Sequence, residues 1–118
     1  MGLAALSGCR RQVAQVSDLT ITHEVSPQPP RVGPTTITLK LTDAAGKPVS
    51  GARITLEGNM SHAGMAPVVA DAKEAGQGSY RANVELSMAG DWVMIAHVTL
   101  TDGRKLDHQF ALNGVAPS

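Results

Sequence analysis

The chain has 118 residues and a formal net charge of zero, with no Lys/Arg block beyond Arg10-Arg11. That balance speaks against nucleic acid or anionic lipid as an electrostatic partner, and one Trp, one Tyr and one Phe leave little for stacking on bases. A single cysteine, Cys9, excludes an intrachain disulfide, and the length suits one domain able to bury its own core.

Cys9 follows Leu6-Ser7-Gly8. This resembles a bacterial lipobox, in which the signal peptide is cut before the cysteine and the thiol is acylated. Only Met1-Gly2-Leu3-Ala4-Ala5 precedes it, so residues 1–17 are read as a truncated lipoprotein signal, a lipidated Cys9 and a short tether over 10–17. The alternative is an N-terminal scar with a free thiol. No other stretch approaches the roughly 20 apolar residues of a membrane span.

From Asp18 onward the hydrophobic period is two. A first strand over 18–25 puts Leu19, Ile21, His23 and Val25 on one face. Four prolines between 27 and 34 predict a loop or irregular edge over 26–35, because proline cannot donate to a ladder. A second strand over 36–42 turns inward Ile37, Leu39 and Leu41, and Asp43 through Pro48 is a turn. A third strand over 51–58 turns inward Ala52, Ile54 and Leu56, and its parity reaches Met60 and His62. A small-residue loop over 61–67 leads to a weak fourth strand over 68–74 and a turn at 75–78. The fifth strand, 79–86, carries Tyr80, Ala82, Val84 and Leu86 inward, and its parity reaches Met88. The sixth, 91–100, is apolar on both faces, as a central strand is. Asp102-Gly103 signals a hairpin into a seventh strand over 105–112. Short alternating strands with a turn every ten or so residues predict an all-β, immunoglobulin-like antiparallel sandwich of about seven strands over 18–115.

If successive strands alternate in direction, Met60, His62, Met65, Met88, Met94 and His23 fall at one end of that sandwich, with His97 and His108 further down. Loops cluster at the ends of a sandwich, and such clusters carry sites. Thioethers are soft ligands that select Cu(I), and they suit zinc poorly. The candidate metal ligands are therefore Met60, His62, Met65 and Met88, with His23 as a further nitrogen donor and Cu(I) as the metal. The competing reading keeps Met60 and Met88 as gap-filling core residues, His62 as a solvated loop residue and His23 as a strand histidine with a backbone partner. Met94, in phase with Trp92, reads as core. His97 and His108 read as structural, since the sequence shows no carboxylate–histidine arrangement beside either.

Five short segments resemble the YtkA-like family, which includes the FixH-like proteins: Ser26-Pro27 through Gly33, Asp43 through Ala52, the Met/His loop 60–65, Gly78-Ser79-Tyr80, and Met88-Ala89-Gly90-Asp91-Trp92. The resemblance covers about residues 18–113. It implies an immunoglobulin-like domain on the outer side of a bacterial membrane, associated with copper handling, efflux adaptors or assembly of haem-copper oxidases. Carried over, the family's Met/His loop falls on Met60, His62 and Met65, and its methionine before Gly-x-Trp on Met88. The order here is Met-Ser-His-Ala-Gly-Met, where many members have Met-Gly-His.

The expected function is a periplasmic, lipid-anchored Cu(I) protein that buffers or delivers copper to a protein partner. The alternative is a metal-free structural or interaction module of a membrane-associated complex, docking through an edge strand or the loop 26–35. An enzyme is not expected: no Ser-His-Asp set, paired carboxylates or phosphate loop is present, and four scattered histidines do not make a superoxide dismutase metal site. With Cys9 acylated, an eight-residue tether of at most roughly 26 Å would enter the first strand at the end opposite the methionines, turning these away from the membrane.

Overall fold

The computed structural model describes residues 19–60 and 66–117. It contains β1 (Leu19–Ser26), β2 (Gly33–Asp43), β3 (Arg53–Met60), β4 (Val68–Gly76), β5 (Ser79–Leu86), β6 (Gly90–Thr99) and β7 (Lys105–Val115). The hydrogen-bonded order is β1-β2-β5-β4-β3-β6-β7, and every pairing is antiparallel. The fold is the expected all-β, sandwich-like arrangement of seven strands.

Alternating side chains build the core. Ile37, Leu39 and Leu41 of β2, Ile54 and Leu56 of β3, Tyr80 of β5, and Trp92, Met94 and Val98 of β6 are each at most 1% exposed. These face one another between two layers, and burial of each such side chain stabilises by roughly 1.5–3 kcal/mol. β4 joins the layers: Val68–Ala72 pair with β3, whereas Lys73–Gly76 pair with β5. Its residues are otherwise largely exposed, which is why it reads weakly in sequence.

The segment 26–35 is more ordered than its prolines suggest. Ser26-Pro27 and Gln28-Pro29 are cis. Pro30 and Val32 then exchange backbone hydrogen bonds with Ala116, forming a parallel bridge that ties the segment to the end of β7. β2 begins at Gly33 and takes Pro34 into its register opposite Glu85. A proline is tolerated there because it stands at the start of the strand.

All-antiparallel pairing puts Ser26, Gly33, Met60, Val68, Leu86, Gly90 and Val115 at one end of the sandwich, hereafter the upper end. Leu19, where the chain enters β1, lies at the other. β1 and β7 are the two outermost strands, and they meet across a seam through side chains.

Candidate functional site

β3 delivers Met60 to the upper end, where it pairs with Trp92 of β6. Met60 is 8% exposed, and its terminal methyl lies 3.2 Å from where a side chain on Gly90 would begin. The Gly90 turn thus forms the roof over Met60. Met88 lies two residues before that turn and is 40% exposed. Its parity predicts an inward side chain. The structure turns it outward, because β5 ends at Leu86 and the alternation ends with it. The Trp92 indole N–H donates to the Met88 carbonyl at 2.9 Å, which fixes the turn backbone. Met94 is fully buried, as expected of a core residue.

Met60 and Met88 therefore share the upper end. His62 and Met65, and likewise Cys9, lie outside the described residues. Met60 and Val68, which flank that stretch of sequence, both stand at the upper end.

His23 does not belong to that cluster. It pairs with Leu39 in mid-strand, three residues short of the end of β1, or about 10 Å at the strand rise. Its ring stacks on Phe110 of β7 with centroids 4.0 Å apart and planes at 14°. Its Nδ1 lies 3.3 Å from Nε2 of His108. Burial lowers the pKa of both rings, and the neighbouring His23 lowers that of His108 further. The partner of His23 is thus an aromatic pair across the seam, neither the methionines nor a backbone group.

His97 corrects a second expectation, since two carboxylates stand beside it. On the outer face of β3, β6 and β7, His97 Nε2 lies 2.8 Å from Glu57 Oε1 and Nδ1 lies 2.9 Å from Asp107 Oδ1. Hydrogen bonds to Glu57 and then Asp107 raise the His97 pKa, and the His97 bond is the main cause of a lowered Glu57 pKa. Protonated, His97 donates from both ring nitrogens to these acids and offers no lone pair to a metal. The Asp107 contact was readable from the Asp102-Gly103 hairpin, which sets His97 opposite Asp107. Among the described residues no group of three or more His, Cys, Asp or Glu side chains is placed to hold a metal ion.

The YtkA-like family model matches residues 13–97. The chain belongs to the YtkA-like family. Comparison with curated proteins and with solved structures gives no significant match to either. The match spans β1 to most of β6 and stops before β7. Several of its short segments have framework roles in this YtkA-like domain. At the lower end the Tyr80 hydroxyl donates to the Val49 carbonyl at 2.8 Å and accepts from the Ala52 N–H at 3.0 Å. That locks Gly78-Ser79-Tyr80 to the turn 43–52. At the upper end Asp91 accepts from the Gly114 N–H at 2.8 Å, tying the Gly-x-Trp turn to β7. Of the segments, 60–65 and Met88 bring the thioethers and the loop imidazole.

Proposed function

We propose that this YtkA-like protein binds Cu(I) at the upper end of the sandwich, through Met60, His62, Met65 and Met88, and buffers or hands on copper at a bacterial membrane. The single observation that carries this reading is the placement of Met88. A thioether left 40% exposed forgoes the stabilisation of burial, and it does so at the end where Met60 and Val68, which bracket His62 and Met65 in sequence, also stand. Thioethers and one imidazole are a donor set for Cu(I). When bound, the ion would be held by soft sulfur and passed on by ligand exchange. Met88 is accessible for that role, whereas Met60 is buried in the core at 8% exposure. We leave His23 out of this set because it stands in mid-strand, away from Met60 and Met88.

Family membership supports a domain at the periplasmic side of a membrane, and the Leu6-Ser7-Gly8-Cys9 sequence supports a lipid anchor on Cys9. Chain entry at Leu19 lies opposite the methionines, which favours a site turned away from the bilayer.

The test is an anaerobic Cu(I) titration of the full chain against a chromophoric competitor, alongside Met65→Leu and Met88→Leu. Stoichiometric binding that weakens in both variants supports the reading. Failure of the protein to compete, or wild-type binding by both variants, overturns it.

A second reading is supported by Val69, which is 64% exposed on the part of β4 that pairs with β3 alone among the described residues. An unpaired strand edge bearing an apolar side chain suits strand addition by a partner. In this reading the domain is a metal-free interaction module of an efflux or oxidase-assembly complex.

A further inference from the structure

His23 and His108 stand on the core-facing parity of β1 and β7, in series with Ile21 and Val25 on one strand and Leu106 and Phe110 on the other. His23 is exposed and His108 half-buried there, so the facing nitrogens stay open to solvent and to an ion. Here each ring turns a nitrogen towards the other across the seam, with 3.3 Å between the atoms and 5.4 Å between ring centres. Two imidazole nitrogens bound tetrahedrally to one ion at about 2.0–2.1 Å would lie about 3.3 Å apart, with ring centres about 5 Å apart. The spacing that the hydrogen-bonded pair already has would thus admit a shared cation with little movement of either ring.

We infer that His23 Nδ1 and His108 Nε2 form a second metal site, separate from the methionine end, that takes a borderline divalent cation of the Zn²⁺ or Cu²⁺ type with water completing its shell. Imidazole suits both ions, whereas a thioether does not suit Zn²⁺. In the metal-free pair one ring donates its N–H to the other. On binding, that ring keeps its proton by moving it to its other nitrogen, and both facing lone pairs turn to the ion without net loss of a proton. Stacking of His23 on Phe110 holds the first ring in place before the ion arrives, so little orientation is lost on binding. The flanking Glu24 and Asp107 stand at the opposite parity of their strands, which leaves two imidazoles as the protein's donors. The ion would join β1 to β7, the two strands at the ends of the hydrogen-bonded order, and so act as a clasp on the seam.

The experiment is a Zn²⁺ titration of the full chain carrying Cys9→Ser, followed by the histidine ring NMR signals and by thermal melting. The expected result is a joint shift of the His23 and His108 ring signals, saturating near one equivalent, with His97 unmoved. The melting temperature should rise with added Zn²⁺, because a ligand of the folded state stabilises it. His23→Gln and His108→Gln should each abolish both effects, whereas Met88→Leu should leave them intact. If either glutamine variant does not fold, the ring signals of the parent protein decide. Shifts confined to His62 or His97, no ring shift at all, or unchanged binding by folded glutamine variants would overturn the inference. Because Zn²⁺ does not report on thioethers, this outcome is independent of the Cu(I) titration.

Discussion

Trp92 and Met88 are joined by a 2.9 Å hydrogen bond from the indole Nε1 to the backbone carbonyl, and this bond couples the core to the candidate copper end. Trp92 is 1% exposed, so its indole N–H has no water to turn to. Trp92→Phe should cost about 1–3 kcal/mol for the lost partner alone, with a further loss from the smaller ring. Met88→Leu should change stability by no more than about 0.5 kcal/mol, since the side chain is on the surface. Chemical denaturation of both variants checks this. A strong effect of Met88→Leu on stability would return that residue to the core.

Met60 calls for a different substitution. It is 8% exposed under the Gly90 turn, so Met60→Ala should destabilise by about 2–5 kcal/mol through the cavity it leaves. Loss of copper binding in that variant would not separate ligation from packing. Met60→Leu keeps the volume and should cost less than about 1.5 kcal/mol. Its denaturation midpoint, measured beside its Cu(I) affinity, separates the two roles: a thioether ligand loses affinity with little change in stability.

The strands β2, β3, β5 and β6 were legible because each has a buried face with strict alternation. Ile37-Leu39-Leu41 and Tyr80-Ala82-Val84-Leu86 are examples, all buried in the structure. Alternating direction was enough to place Met60 and Met88 together, since every pairing is antiparallel. The core parity read for Met88 fails because it was carried past Leu86, where β5 and its alternation stop. His97 was half legible: hairpin arithmetic sets it opposite Asp107, but Glu57 comes from β3, whose register with β6 depends on the whole sandwich. His23 and His108, 85 residues apart, meet only because the sandwich brings its two outer strands together, and no local pattern encodes that. The short family segments indicated the domain, yet Tyr80 and the 43–52 turn proved to be framework.

That framework makes its own prediction at the lower end. Gly78 has φ of +70°, and a Cβ there would stand 2.7 Å from Pro48 Cβ and 2.9 Å from the Leu41 carbonyl oxygen. Gly78→Ala meets both a left-handed backbone and a backbone wall, and should cost more than about 1 kcal/mol. Tyr80→Phe leaves the Val49 carbonyl and the Ala52 N–H without their hydroxyl partner, and should cost about 1–3 kcal/mol. Thermal melting checks both. Neither variant should alter Cu(I) affinity while folded, since the upper end is a full strand length away.

His97 should give the fold a pH dependence of known sign. Its folded-state pKa is raised, chiefly by Glu57 and then by Asp107, so the protonated ring is favoured in the folded protein. The resulting stabilisation is fully present below the ordinary imidazole value of about 6.5 and is lost as pH rises through the higher folded value. At the acid end it fades once Glu57, whose own pKa is lowered, takes up a proton. His23 and His108 act in the opposite sense. Their lowered values mean that stability is lost as pH falls from about 6.5 through the folded values. The profile of the parent protein therefore mixes two trends, and the His97→Gln variant isolates one. The stability difference between parent and variant should be larger near about pH 5.5 than near about pH 8.5. It should also shrink with added salt, because the His97 side chain is 43% exposed and the pair is screened by solvent. Denaturation curves at the two pH values, at low and high salt, measure it. A difference that stayed constant with pH would show that His97 contributes through packing alone.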